Sequence, residues 1–309
     1  MALKPLYNPK NGQMLVVGFM SGSGSNLCKI VEEEKRLQNM YDKAPFSVVA
    51  IFSDTLKSNA KKIGEQYDIP VVLHDIQEFY AHQGRPRNDL EVRRQFDSET
   101  VEALKQFGAV VAAYAGYMSI ATQPLCDAFL GINVHPADLR IVDGNKRKYT
   151  GDHAVRDAIL AGEKHLRATT HIIEQKVDYG RILMVSSEVY AQLPQEFDPA
   201  NKELVKRVAQ EHQNLLKEAG DWKIFPFTLR CLAEGYYQQD PQGNLHFAGK
   251  QIPQGIAINN AAYQVGTIKG RGGFSFNDHH NRLRESVDAE YRSQNSRIGC
   301  ICRNCSLSH

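Results

Sequence analysis

The sequence predicts an α/β fold, a Rossmann-like and mostly parallel sheet flanked by helices, with an antiparallel C-terminal part. Short apolar runs alternate with helical segments of about 10 to 15 residues, which is the pattern of βαβ units. Near residue 180 a short turn joins two strands directly, as in an antiparallel pair. These two observations together predict the fold class.

The individual elements follow from hydrophobic periodicity. Continuous apolar runs predict buried strands at residues 14–20, 46–52, 70–73, 109–114, 131–134, 168–174 and 181–190. Apolar residues at helical spacing predict helices at residues 26–38, 56–67, 97–107, 152–160, 202–219 and 223–234. The last two helices are expected to be separated at Gly220 and Asp221, and residues 235–255 to form short strands and turns.

Composition limits the class of partner. The chain has 309 residues, 37 Lys or Arg against 35 Asp or Glu, and a formal net charge of +2. A near-neutral chain argues against binding nucleic acid mainly through its phosphates. The polar N-terminus and the short first apolar run predict neither an export signal nor a membrane partner, so a cytoplasmic protein with reduced cysteines is expected.

The amino-acid composition changes near residue 259. The last residues are rich in Gly, Asn, Ser and Arg, so residues 257–309 are expected to be a poorly ordered tail after a domain at residues 1–256. The tail ends in a cluster of possible zinc ligands, namely Cys300, Cys302, Cys305 and His309. Their spacing is tight and no folded module surrounds them, so no metal is expected.

A glycine-rich turn at residues 21–26 (SGSGSN) joins the first strand to the first helix. Converging N–H groups and the positive end of a helix dipole at this position favour binding of a phosphate. Leu27 stands where a dinucleotide fingerprint would need Gly, and no Gly-Lys-Ser/Thr sequence follows. The turn is therefore predicted to hold a small-molecule phosphate.

A second candidate site lies at the end of the strand that contains Asn133 and His135. These two residues are two apart, so their side chains point to the same side, at the edge where α/β sheets place their sites. An amide N–H can donate to a developing oxyanion, and an imidazole can accept and donate a proton. Both functions suit acyl transfer. Asp178, in the turn at residues 177–180, could orient that imidazole or could simply form the turn.

The order of the motifs along the chain is more specific evidence for a protein family than any single motif. A SGSGSN turn, the NVHP sequence at residues 133–136 and the TTHIIEQKVDYG sequence at residues 169–180 resemble the folate-dependent formyltransferases. The AYAGYMSI, AQEH, IFP and GKQIPQG segments resemble further elements of that family. Residues 13–256 carry the resemblance, which is greatest to members that formylate glycinamide ribonucleotide in purine biosynthesis.

The resemblance implies a formyltransferase fold and 10-formyltetrahydrofolate as co-substrate. It implies a phosphate-binding half at residues 13–115 and a folate and catalytic half at residues 116–256. Asn133 would bind the formyl oxygen, and His135 would stabilise the oxyanion as an imidazolium. Asp178 would raise the pKa of His135 and assist proton transfer. The substrate amine is the nucleophile, so no Ser or Cys nucleophile and no metal are required.

The resemblance also implies the binding residues. The substrate phosphate would lie on Gly22, Ser23, Gly24, Ser25 and Asn26, and Glu211 would accept hydrogen bonds from ribose hydroxyls. The pterin would lie beside Met118, Ser119, Ile120, Ile173 and Val177. His171 would support the site from behind. Partners are expected to be small molecules, with the protein a monomer or homodimer.

Several segments depart from the family pattern. Ser119 stands where the family usually has Arg, and residues 137–140 differ from the usual Ser-Leu-Leu-Pro. Residues 141–150 form a longer charged loop, and residues 215–223 look like an insertion. The sequence therefore also fits two alternative functions. One is a related transferase that acts on a nucleotide-linked amino sugar, and the other is a hydrolase of formyltetrahydrofolate. A nucleotide-binding oxidoreductase and a catalytically silent binding protein are the alternatives from other classes.

Overall fold

The structure, a computed structural model, describes residues 2–258. Its strands, numbered along the chain, are β1 Lys4–Pro5, β2 Met14–Met20, β3 Phe46–Ser53, β4 Val71–Leu73, β5 Val111–Tyr114, β6 Leu130–His135, β7 Val142–Asp143, β8 Lys146–Arg147, β9 His165–Leu166, β10 Thr169–Ile172, β11 Ile182–Val185, β12 Val189–Tyr190, β13 Tyr237–Gln239, β14 Leu245–Phe247, β15 Lys250–Gln251 and β16 Ile256–Ala257.

The helices surround the main sheet. They are α1 Ser25–Tyr41, α2 Ala60–Tyr67, α3 Ile76–Gln83, α4 Leu90–Leu104, α5 Gln123–Ala128, α6 Ala154–Leu160, α7 Lys202–Leu216 and α8 Trp222–Ala233. Short 3₁₀ turns lie at Pro9–Asn11 and Lys105–Phe107, and a π-helical segment at Lys217–Asp221 joins α7 to α8. In the described residues no helix is both long enough and apolar enough to cross a bilayer.

The main sheet has eight strands in the order β16-β11-β10-β6-β5-β2-β3-β4. The run from β6 to β4 is parallel, whereas β10 is antiparallel to both β6 and β11. A separate antiparallel sheet has the order β1-β13-β14-β15. The predicted fold class, a mostly parallel sheet with an antiparallel C-terminal part, is confirmed.

Strand β2 shows why the chain folds as layers. Its side chains alternate between two apolar clusters, with Val16 and Met20 in one and Val17 and Phe19 in the other. The first cluster includes buried residues of α1 and α8, and the second includes residues of α3, α4 and α5. A parallel strand covered on both faces needs a continuous apolar run, which the MLVVGFM sequence supplies.

The predicted elements differ from the structure in several places. The run at 181–190 forms two strands, β11 and β12, rather than one. The predicted break at Gly220 and Asp221 is wrong, because both residues lie within the π-helical segment. The sequence prediction did not include α3 and α5, and α4 begins at Leu90 because Asp89 caps it.

The expected domain end at residue 256 falls inside β16, which pairs with β11 through Met184 and Ile256. This pairing places residue 257 in the main sheet rather than in a tail. Residues 259–309, which include the cysteine cluster, lie outside the described residues.

Gly180 is the residue whose replacement we expect to damage the fold most directly. A Cβ atom there would lie 1.7 Å from the backbone oxygen of Ile172. Since backbone would have to move, Gly180→Ala should destabilise the protein by roughly 1–3 kcal/mol or more in urea unfolding. Gly22→Ala is the control, since a Cβ at Gly22 meets nothing within 4 Å. Equal stability of the two variants would contradict the packing argument.

Candidate active site

A cavity of about 630 Å³ opens at the carboxyl ends of the parallel strands. Its lining comes from the glycine turn, the segment after β5, the end of β6, the turn after β10 and the π-helical segment. The cavity brings together nearly all of the predicted site residues, which are Gly22, Ser23, Gly24, Ser25, Asn26, Met118, Ser119, Ile120, Asn133, His135, Ile173, Val177 and Asp178.

The glycine turn is held rigidly at one end of this cavity. Gly24 has a φ of 72°, and a Cβ there would lie 2.3 Å from Ile63. The backbone N–H of Asn59 donates to the oxygen of Gly22 at 3.1 Å, and its side-chain amide donates to the oxygen of Ser23 at 3.3 Å. Helix α1 starts at Ser25, so its unpaired N–H groups and its positive dipole end lie at the turn.

Asn133 and His135 lie on β6, and the adjacent strand β10 brings His171 beside them. In the ladder His171 pairs with Asn133, and Thr169 pairs with His135. The amide nitrogen of Asn133 lies 3.2 Å from Nε2 of His171, while Nδ1 of His171 lies 2.9 Å from the oxygen of Ile172. Since that carbonyl requires a proton on Nδ1, Nε2 accepts one amide N–H and the other stays available to a ligand.

His135 is buried, and both of its ring nitrogens have neighbours. Nε2 lies 2.9 Å from the backbone oxygen of Tyr149, so this nitrogen carries a proton. Nδ1 lies 3.5 Å from Oδ2 of Asp178. Burial lowers the pKa of His135 more than Asp178 raises it, so the net shift is below 6.5. Asp178 thus acts on this pKa in the direction that the resemblance implies, but burial has the larger effect. The ring is therefore mainly neutral at pH 7, with Nδ1 as the nitrogen that can take up a proton.

Asp178 lies in a left-handed turn conformation with a φ of 57°. Its Oδ2 accepts the backbone N–H of Gly151 at 2.7 Å, and its Oδ1 lies 3.5 Å from Nε2 of His171. Burial alone would raise the pKa of Asp178, but His171, His135 and the Gly151 N–H outweigh burial and lower it to about 2. Asp178 is therefore a permanent anion at neutral pH.

The charged loop at residues 141–150 is part of the site. It contains the β7–β8 hairpin, and the guanidinium of Arg147 donates to the backbone oxygen of Asp178. The same loop supplies the carbonyl of Tyr149 to His135 and leads into the N–H of Gly151. It therefore contacts both members of the His135–Asp178 pair. No sequence motif indicated this role.

The segment after β5 forms an apolar wall of the cavity. Met118 is 64% exposed, Ile120 49% and Val177 on the facing turn 49%. Exposed apolar side chains that line one cavity favour an apolar or aromatic ligand. Ser119 is turned toward the protein, where its hydroxyl donates to Asp54.

A buried ion pair on α4 holds this wall from behind. Arg93 Nη2 lies 3.0 Å from Asp97 Oδ1 and donates to the hydroxyl of Tyr117 at 2.7 Å. Asp97 Oδ2 accepts the backbone N–H of Thr122 at 2.7 Å and its hydroxyl at 2.6 Å. The pair contacts the wall at Tyr117 and Thr122. The sequence did not predict this role, because Arg93 lies before the predicted helix at residues 97–107 and Asp97 is an ordinary charged residue at its start.

Glu211 is the predicted site residue that does not line the cavity. It lies on α7 with its side chain 62% exposed, and its Oε1 is 4.0 Å from Arg207. Gln213, Lys217 and Asp221 of the same stretch line the cavity instead. Within residues 2–258, no group of three or more His, Cys, Asp or Glu is placed to hold a metal ion.

The fold and the site together define an α/β protein with a centre suited to acyl transfer. The family model described as formyl transferase matches residues 14–219. The chain therefore belongs to the formyl transferase family.

Individual relatives agree with this assignment. The chain is 23% identical over 249 residues to phosphoribosylglycinamide formyltransferase of Escherichia coli, a match that covers 80% of this chain and all of that enzyme. It is 28% identical over 215 residues to the chloroplastic enzyme of the same name from Arabidopsis thaliana, covering 69% of this chain and 65% of that protein. Against the trifunctional purine biosynthetic protein of Drosophila melanogaster the match is 26% identical over 223 residues, covering 71% of this chain but only 14% of that protein.

Solved structures show the same fold. The phosphoribosylglycinamide formyltransferase of Coxiella burnetii has a TM-score of 0.58 at 21% identity, covering 80% of this chain and 99% of that chain. Glycinamide ribonucleotide transformylase 1 of Symbiobacterium toebii has a TM-score of 0.54 at 21% identity, covering 76% and 94% respectively.

The ionisation of His135 can be measured directly. We expect an NMR titration of its imidazole to give a pKa below 6.5, and Asp178→Asn to lower it further because the attraction of the carboxylate is lost. Asp143→Asn, on the exposed part of the same loop, should leave the pKa of His135 unchanged. A rise in the Asp178→Asn variant would contradict this electrostatic account.

The buried ion pair predicts a large difference between two carboxylates of α4. Asp97→Ala leaves the buried Arg93 without its partner and should cost about 3–5 kcal/mol in urea unfolding. Glu102→Ala removes a carboxylate that is 73% exposed and pairs with Lys105, so it should cost below about 1 kcal/mol. A similar loss in both variants would show that the pair does not hold the wall.

Proposed function

We propose that the protein transfers a formyl group from 10-formyltetrahydrofolate to the amine of glycinamide ribonucleotide. The observation that carries this proposal is one cavity, with a glycine turn at one end and Asn133, His135 and Asp178 at its centre. The names of the relatives support the same acceptor. The apolar wall of the same cavity supplies a surface for the planar pterin ring of the folate.

The acceptor's phosphate lies on the glycine turn. The helix α1 begins there, and its free N–H groups provide donors for a doubly charged group. Lys217 also lines the cavity and adds a positive charge on the same side. This end of the cavity therefore selects a phosphorylated amine over an uncharged one.

The pterin ring of the folate lies against the apolar wall. Met118, Ile120 and Val177 lose exposed apolar surface when a ring covers them. Ser119 uses its hydroxyl on Asp54, so the contact with the folate here is backbone and van der Waals in character. The wall is rigid because the Arg93–Asp97 pair anchors it.

The chemistry is attack of the amine nitrogen on the formyl carbon. As the new C–N bond forms, the carbonyl oxygen becomes an oxyanion, and the free amide N–H of Asn133 donates to it. Collapse of the intermediate breaks the bond between the formyl carbon and N10 of the folate. The products are the formylated amine and tetrahydrofolate.

His135 carries the proton between the two nitrogens. Neutral Nδ1 accepts the proton that the attacking amine loses, and the resulting imidazolium lies between the new oxyanion and Asp178. Both anions favour the charged ring at that moment. The same proton then passes to N10 as it leaves, so no external proton is consumed. Asp178 stabilises the imidazolium and stays ionised throughout.

Loss of the imidazole tests the centre. His135→Ala should lower kcat by about 100-fold or more while the fold persists, as expected for loss of an oxyanion stabiliser. The measurement is the absorbance change on folate deformylation, with glycinamide ribonucleotide supplied. His165→Ala, a half-exposed histidine on β9, is the control and should keep near-normal activity.

The same assay separates the alternatives. Turnover without any acceptor would indicate a formyltetrahydrofolate hydrolase. Turnover with a nucleotide-linked amino sugar but not with glycinamide ribonucleotide would overturn the proposed acceptor. Normal activity of His135→Ala would overturn the proposed centre.

A further inference from the structure

Asp221 is a buried carboxyl group of the cavity that the proposed chemistry does not use. It is the last residue of the π-helical segment, is 3% exposed and lines the cavity beside the glycine turn. The side-chain amide of Asn26, the second residue of α1, donates to Asp221 Oδ2 at 3.4 Å. This bond ties the C-terminal part of the chain to the start of the helix that follows the turn.

Both side chains of this pair have an unused oxygen. Oδ1 of Asp221 and Oδ1 of Asn26 are buried and have no hydrogen-bond partner in the described part of the chain. An ionised carboxylate in that position is poorly compensated. A protonated carboxyl is complementary to a primary amide, since its O–H can donate to the amide oxygen while its other oxygen accepts the amide N–H. The geometry therefore favours a neutral Asp221.

The charges around Asp221 do not cancel this preference. Burial raises the pKa of Asp221 to about 7, although Asn26 and the charge of Lys217 oppose the rise. On the neighbouring helix α1, Lys29 lies over the ring of Trp222 and forms an ion pair with Glu32 at 2.6 Å. Asp221 is therefore poised to gain or lose a proton near neutral pH.

We propose that Asp221 is a positioning residue that holds Asn26 at the glycine turn, and that a phosphorylated acceptor binds with uptake of one proton by the Asp221 carboxyl group. The inference rests on the proposed function, because it needs the phosphate to lie on this turn. A phosphate dianion and an ionised Asp221 would repel each other in a buried site of low dielectric constant. Protonation removes the repulsion and completes the amide–acid pair.

The proton is measured by isothermal titration calorimetry with glycinamide ribonucleotide at pH 8. Phosphate monoesters are dianions at this pH, so they do not themselves take up the proton. Titrations in two buffers of different ionisation enthalpy give the number of protons bound. Wild type should take up close to one proton per ligand more than Asp221→Asn, which cannot ionise. This difference cancels any proton that the substrate amine exchanges on binding.

Glu218→Gln is the matched control, because Glu218 is an exposed acid of the same π-helical segment. It should keep the proton uptake of the wild type. The affinity should also differ with pH. Between pH 7 and pH 9 the Kd of the wild type should rise several-fold relative to that of Asp221→Asn.

A second measurement needs no substrate. The folded protein holds the Asp221 proton up to a pKa of about 7, whereas an unfolded chain releases it near the ordinary value of 3.8. The stability of the wild type relative to Asp221→Asn should therefore fall as the pH rises from 4 to 7 and then level off. Urea unfolding of both proteins across this range gives the difference.

The outcomes separate the two proposals. If wild type does not bind glycinamide ribonucleotide at all, the proposed acceptor and this inference both fail. If it binds with equal proton uptake in wild type and Asp221→Asn, only the role of Asp221 is overturned. A stability difference that does not change between pH 4 and pH 7 also overturns the role of Asp221.

Discussion

The antiparallel pairing of β10 with β6 is the interaction on which the rest of the site depends. Strand β6 ends the parallel run of the sheet, and its last residues carry Asn133 and His135. Because β10 runs back beside it in register, His171 lies opposite Asn133, and the turn that follows returns Asp178 to His135. A slip of one residue would turn these side chains to the other face of the sheet.

Burial then decides the charges at this edge. His135 and Asp178 are both removed from water. Burial outweighs the favourable neighbours of His135, whereas the neighbours of Asp178, among them the N–H of Gly151, outweigh its burial. The acid stays ionised and the imidazole stays neutral, so the pair is ready to accept a proton. Asp221, also in the cavity, accepts one amide N–H from Asn26, and the same desolvation raises its pKa to about 7.

Two of the segments that are expected to depart from the family pattern contribute residues to the site or contact its side chains. The loop at residues 141–150 contacts His135 through the backbone oxygen of Tyr149 and Asp178 through the guanidinium of Arg147. The segment at residues 215–223, which is expected from the sequence to be an insertion, contains the π-helical turn. Its Asp221 lines the cavity, whereas Glu211 is exposed on α7. π-Helical turns often occur at functional sites.

Local patterns in the sequence determined the layered sheet, the glycine turn and the strand end at His135, because apolar periodicity and turn chemistry act over a few residues. The helical path through Gly220 was not predicted, since a glycine followed by an acid usually ends a helix. In the structure the path continues through both residues, and Gly220 lies close to Ala168 and Ser186. The tertiary structure alone decided the net pKa of His135, the Arg93–Asp97 anchor and the Asn26–Asp221 bond. Each depends on contacts between separate segments, which for Arg93 and Asp97 are those with Tyr117 and Thr122. Each also depends on the exclusion of water, which no local pattern records.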